Sequence, residues 1–452
     1  MTHPEWRPLL HVAPERGWVN DPNGLCFFRG RYHAFFQYTL DWRESNLRSW
    51  GHAVSDDLLT WEELPVALTP DIPEDRCGVY SGCAFVTEDG ERMELYSTGN
   101  VVYDGPYDRI HEGREANEIL DESADGRHFS EKRVLLRPED YPADCTRHVR
   151  DPKVWEKDGE YWMVLGARNL DDHGQVLVYR SDDGISWKHH HTIRSLNPFG
   201  YMWECPNVVM LDGHEFLAVC PQGLDSEELR RHNMWQAGYF PVDGKIVEAE
   251  TVDETLFREW DFGWDFYAPQ VFVDGEGRTI LIGWMGAFDS AWNSAPDDLE
   301  WCHCLTLPRE LALGADGYLV QRPVHELEAR RGTAGALGEG SISLPDHLAD
   351  IELAGIAGAG ALVLDDVLSI ALDGSLLTVS FADDAAASGR TSRSVALPAE
   401  ASSLRVIVDR STVEIYLDGG RTVFSTRWFP EADRMTVASN IPCTTATAWN
   451  LV

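Results

Sequence analysis

The chain has 452 residues, 43% hydrophobic and 11% aromatic, so it can bury a large core and is neither disordered nor a coil. At ~150 residues per domain its length suggests two or three domains. With 38 basic and 75 acidic residues the formal charge is −37, and a surface that negative repels phosphodiester backbones and anionic lipid, which argues against nucleic-acid and membrane partners. No apolar run approaches the ~18 residues of a membrane span. Met1 to Leu10 contain no hydrophobic segment of a secretory signal. Nine cysteines, an odd number without a disulfide-like spacing, predict reduced thiols and a cytoplasmic location.

Taken in chain order, the first part repeats itself. A turn followed by an apolar or aromatic strand recurs five times, at Arg29-Gly30, Asp89-Gly90, Asp158-Gly159, Asp212-Gly213 and Asp274-Gly275. The glycines step by 60, 69, 54 and 62 residues, room for about four short strands and their loops. A second turn accompanies the first three copies, reading SDDLLTW at 55–61, SADGRHF at 123–129 and SDDGISW at 181–187. Each ends on an aromatic that can pack between neighbouring sheets. Repeats of this size without a helical period predict radial sheets, a five-bladed β-propeller over residues 1–325.

Beyond that point the composition changes: of 17 tryptophans only Trp428 and Trp449 follow residue 325. Residues 326–340, Gly- and Ala-rich, read as a linker. From 341 to 452 strands alternate apolar and polar positions, with Leu404, Val406 and Val408 on one face and Val413, Ile415 and Leu417 on another. That pattern predicts a β-sandwich of antiparallel sheets covered on one face. The fold class expected is therefore all-β, a five-bladed propeller followed by a sandwich.

Three segments place a carboxylate beside proline or Cys-Pro: Trp18-Val19-Asn20-Asp21-Pro22, Arg150-Asp151-Pro152 and Trp203-Glu204-Cys205-Pro206. Each alone reads as a turn, a local ion pair or a strand edge. By the repeat count they belong to the first, third and fourth blades, near the innermost strands, which converge on a central channel. Carboxylates gathered in an aromatic-walled cavity repel one another and lose solvation, so they need a chemical reason. Glycoside hydrolysis supplies one, because it uses two carboxyl groups across the scissile bond, and sugar C–H faces pack on indoles.

These motifs resemble those of glycoside hydrolase family 32, the invertases and fructan hydrolases. WVNDPNG at 18–24 is similar to the family's WMNDPNG, RDPKV at 150–154 and ECPN at 204–207 match its other two catalytic motifs, and FQY at 36–38, WGHAVSDDLLTW at 50–61, YSGCAF at 80–85, GWDFYAPQ at 263–270, LPREL at 307–311 and DRSTVEIYLDGG at 409–420 support it. The resemblance implies a retaining β-fructofuranosidase acting on sucrose and short fructooligosaccharides through a fructosyl-enzyme. Asp21 would be the nucleophile, Glu204 the acid and base, and Asp151 the transition-state stabiliser. Trp18, Asn20, Gln37, Trp50, Tyr80, Ser81, Arg150 and Trp284 would bind the sugar, with Tyr267 a weaker candidate. The tryptophan often found at the position of Ser45 is absent, with Trp42 close enough to replace it.

As an acid Glu204 must hold a proton near neutral pH, and two neighbouring carboxylates and an apolar cavity would favour that form. Asp21 must stay ionised, with Asn20 a candidate to keep it so. Arg150 and Asp151 face opposite ways in a regular strand, so if both touch sugar the backbone must bend between them. Two other readings remain: sucrose-6-phosphate hydrolysis, for which Arg43 and Arg48 are the rim cations and against which the overall charge weighs, and a non-catalytic fructan-binding propeller, which would have lost one of the three acids. His189-His190-His191 and Cys302-His303-Cys304 lack metal-site spacing and read as surface residues; no metal or cofactor is expected. The partner expected is a small-molecule sugar, and oligomeric state is left open.

Overall fold

In a computed structural model, residues 5–286, 299–338 and 340–452 are described. Among them the first part of the chain forms five antiparallel sheets of four or five strands, each built mostly from consecutive strands. Their first strands are Gly17–Phe28, Val79–Val86, Cys145–Lys157, Met202–Leu211 and Tyr267–Val273. Each touches the next, and Tyr267–Val273 returns to Gly17–Phe28, so the inner strands close into a ring. The first sheet also gains the short strand Trp301–Cys302, which runs parallel to Gly17 and Trp18. This is a β-propeller, with the inner strands around its axis.

The repeated turns have distinct local causes. Arg29-Gly30, Asp158-Gly159 and Asp212-Gly213 have positive φ at both residues and join their strands through two-residue loops, the hairpin geometry whose twist matches the flanking strands. The Asp89 and Asp274 copies sit in longer loops, Val86 to Met93 and Val273 to Thr279. The second motif is more uniform. Asp57, Asp125 and Asp183 each accept two backbone N–H bonds from residues two and three positions on. The aromatic that follows reaches the preceding sheet: Phe129 meets Phe35 edge-on and Trp187 meets Tyr96 edge-on.

The second part is a sandwich of two six-stranded sheets. Leu404, Val406, Val408, Val413, Ile415 and Leu417 all lie in the core between them. The opposite face of the same sheet is not solvated, contrary to the one-faced pattern expected. Ile407, Tyr416 and Val423 join a second core with Phe272, Ile280 and Leu307 of the propeller, so this sheet is buried on both sides. The 326–340 stretch is not a free connector either. His325–Arg330 is a 3-10 helix, and Arg331–Ala336 pairs with Thr445–Leu451 at a sandwich edge.

Candidate active site

A cavity of about 520 Å³ opens at the ring of inner strands and brings Asp21, Asp151 and Glu204 together from three sheets. Regular strands could not aim these side chains into it. Each inner strand departs from register there, between Val19 and Pro22, at Tyr80–Gly82, opposite Val164–Gly166, at Glu204–Asn207 and at Tyr267–Gln270. Asp151, Cys205 and Ala268 have φ of 66°, 46° and 44°, the left-handed region that non-glycine residues rarely occupy. Such bulges bend a strand and re-aim its side chains. They answer the question raised by Arg150 and Asp151: the turn at Asp151 lets both line the cavity.

Asp21 is held on both oxygens. Asn20 Nδ2 donates to Oδ1 at 3.1 Å and Ser81 Oγ to Oδ2 at 2.5 Å. Gln37 closes the ring, donating to Ser81 Oγ at 2.7 Å and accepting from Asn20 at 3.2 Å. Burial pushes the Asp21 carboxyl up from its usual range, against the Ser81 and Asn20 bonds that lower it and with Glu204 adding to the rise. Asn20 Oδ1 is buried with no hydrogen-bond partner among the described residues. Asp151 accepts from the backbone N–H of Cys205 at 2.9 Å. Burial raises it too; Arg150 opposes this, while Glu204 and Asp21 reinforce it.

Glu204 is surrounded by donors rather than by the apolar wall expected. Arg150 reaches Oε1 through Nη2 at 2.7 Å and Nε at 3.1 Å. Gln222 Nε2 and the Tyr267 hydroxyl donate to Oε2 at 2.6 and 2.7 Å. Gln222 was not foreseen, because an amide in the second strand of a sheet carries no motif.

Of the remaining expected residues, Trp18, Gln37, Tyr80, Ser81 and Arg150 line the cavity together with Asn20. Trp50 and Trp284 do not. Trp50 is fully buried, with its indole N–H on the Tyr80 carbonyl at 2.9 Å. Trp284 is fully buried behind Trp18, 6.3 Å between ring centres, and donates to His303 Nδ1 at 3.0 Å. Both brace the wall rather than form it. Trp42 does line the cavity, 5.4 Å from the Trp18 ring, where the resemblance called for a tryptophan at Ser45. Arg48 and Arg114 line it as well; Arg114 was missed, lying in a loop-flanking stretch without a legible pattern. Arg43 points elsewhere, to the Leu299 carbonyl at 2.7 Å.

The clusters set aside as surface residues divide. His189 and His190 are exposed, whereas Cys302, His303 and Cys304 are buried, and His303 packs on Trp18 at 4.2 Å between ring centres. Glu310, His325 and Glu326 converge at the rim of the fifth sheet, where Arg278 already bonds all three.

Comparison with known proteins adds an independent line. Residues 11–323 match the family model for the glycosyl hydrolases family 32 N-terminal domain, and residues 374–450 that for the family 32 C terminal. A sucrose-6-phosphate hydrolase of Klebsiella pneumoniae is 39% identical over 450 residues, spanning 95% of this chain and 89% of that protein. A raffinose invertase of Escherichia coli is 36% identical over 444 residues, with 95% and 90% covered. The structure of a sucrose-6-phosphate hydrolase from Lactobacillus gasseri superposes with a TM-score of 0.87 at 28% identity, covering 100% of this chain and 94% of that one.

Proposed function

Because this chain belongs to glycosyl hydrolase family 32, a β-fructofuranosidase hydrolase by its relatives, we propose that Asp21, Asp151 and Glu204 carry its cleavage of terminal β-D-fructofuranosides with retention. Asp21 attacks the anomeric carbon of the fructosyl unit while Glu204 gives its proton to the departing glycosidic oxygen. The bond from that carbon to the leaving sugar breaks as the Asp21 ester forms. Water then gives a proton to Glu204 and its oxygen to the same carbon, releasing fructose and free Asp21. Four donor contacts on Glu204 suit the carboxylate of this second half, when it acts as base. Asn20, with an unbonded buried oxygen, and Trp18 are the first candidates to hold the fructosyl hydroxyls and face.

The observation that carries this reading is the meeting of three acids from three sheets in one cavity, with Asp21 cradled on both oxygens. Three intact acids also weigh against a binding-only propeller. We expect Asp21→Ala and Glu204→Ala each to lose about 10²–10⁴-fold in kcat on sucrose while their thermal unfolding stays cooperative. Mass spectrometry of acid-quenched protein should find one fructosyl unit on the peptide containing Asp21. Wild-type-like turnover in either variant would remove that residue from the mechanism. Nine free cysteines favour a reducing, cytoplasmic setting, and no helix among the described residues is long and apolar enough to cross a membrane. The −37 charge disfavours nucleic-acid or anionic-lipid partners.

A further inference from the structure

The chain-wide charge is misleading at the cavity. Its lining holds three carboxylates, Asp21, Asp151 and Glu204, and three guanidiniums, Arg48, Arg114 and Arg150, so the wall is balanced in a protein of charge −37. Only Arg150 has an ion-pair partner among the described residues, Glu204 at 2.7 Å. Arg48 spends one N–H on Thr39 Oγ1 at 2.6 Å and lies 5.9 Å from the Trp18 ring centre. Arg114 is the sharper case. Its Nη1 and Arg150 Nη1 share the single Nδ1 of His148, at 3.3 and 3.0 Å. Burial, and then the two arginines, hold that imidazole neutral, its pKa down to about 2. The Arg114 Nε is buried without any hydrogen-bond partner among the described residues.

A desolvated guanidinium with an idle N–H is unfavourable unless something arrives to meet it. A neutral hydroxyl would satisfy the N–H but leave the charge; an anion satisfies both. Glu204 and Asp151, not Asp21, are the cavity carboxylates whose charge acts on Arg114. It therefore stands on the side of the general acid, where the leaving group departs. We propose that Arg114, seconded by Arg48, is a specificity-determining anion site for a phosphate monoester on the leaving-group sugar, so that the preferred fructosides are phosphorylated ones. This rests on the fructoside-hydrolase reading above.

The test is kcat/KM for sucrose 6-phosphate and for sucrose, in the wild type and in Arg114→Gln, with inorganic phosphate as a competitor of sucrose hydrolysis. The expected result is a wild-type preference for the phosphorylated sugar that falls about tenfold or more in the variant, the scale of one lost charge-assisted hydrogen bond. Inorganic phosphate should inhibit the wild type competitively and the variant weakly, which separates an ester-borne from a free phosphate by affinity. A wild type that prefers sucrose, or a variant that slows both substrates equally, would overturn the anion site and leave fructoside hydrolysis standing. Hydrolysis of neither sugar by folded protein would instead sink the underlying reading. Calorimetric titration of Asp21→Ala, with and without Arg114→Gln, would then still decide the site: heat from sucrose 6-phosphate lost with Arg114 supports it, and unchanged heat overturns it.

Discussion

Ser81 makes the shortest contact to Asp21, 2.5 Å, and it opposes the burial that would otherwise push the nucleophile toward its neutral, unreactive form. Removing the hydroxyl in Ser81→Ala takes away a bond to a charged group, worth about 1.5–3 kcal/mol, so kcat/KM should fall roughly 10–100-fold. The sign of the pH effect follows. Asp21 must be ionised to attack, the variant raises its pKa further, and the acidic limb of the kcat/KM profile should move to higher pH. A uniform loss with an unmoved limb would mean that Ser81 only packs. The three acids were legible in the sequence because each stands in a motif that a plain turn does not require. The indoles were not equally legible. Trp50 and Trp284 lie on second and third strands, where a tryptophan can either face the axis or fill the space between sheets, and the bulged inner strands hide which one holds.

Bulges are the element-scale device of this site, and glycines show how narrowly they are built. Gly82 follows Ser81 at the register break of the Val79–Val86 strand, where an added Cβ would lie 1.9 Å from the Tyr96 carbonyl oxygen. Gly159 occupies a hairpin turn at φ 79° with nothing within 4 Å of the same added atom. Gly159→Ala should therefore cost only the left-handed strain, about 1–2 kcal/mol in urea unfolding, with turnover unchanged. Gly82→Ala must displace backbone by more than side-chain repacking can absorb, beyond the ~1–3 kcal/mol of ordinary overpacking, and it should carry Ser81 away from Asp21 and lower kcat as well. Equal effects of the two would mean that the register break is not what positions Ser81. The hairpins themselves were readable, since Asp-Gly between apolar runs has a local cause. The breaks were not, because a one-residue slip depends on the neighbouring strand and not on the segment that contains it.

At the scale of the whole molecule, the sandwich is fastened to the propeller by charge as well as by apolar area, a feature no periodicity announces. Arg309, fully buried on the fifth propeller sheet, donates to Glu414 of the sandwich through Nη2 at 2.8 Å and Nε at 3.1 Å, and its Nη1 lies 3.1 Å from Asp261. His11, from the start of the chain, bridges Asp409 at 2.7 Å and Glu414 at 3.1 Å. Burial alone would raise Glu414, yet Arg309 and His11 outweigh it and bring it down to about 2. Burial alone would lower His11, and the bonds to Asp409 and Glu414 raise it above 6.5 instead. Glu414 thus contributes stability above its free value of 4.5 that is lost as pH falls toward 2. His11 contributes stability below 6.5 that is lost as pH rises through its higher folded value. The interface should be strongest between those limits. Glu414→Gln leaves Arg309 short of a counter-charge in the interior and should cost about 3–5 kcal/mol at neutral pH. Because the variant has no carboxylate there to protonate, its stability deficit against the wild type should shrink as pH drops from 4.5 toward 2. Thermal melts across that range, with sucrose turnover per folded molecule as the control, would check it. A deficit that stays constant with pH would show that this contact joins the two parts by shape rather than by charge.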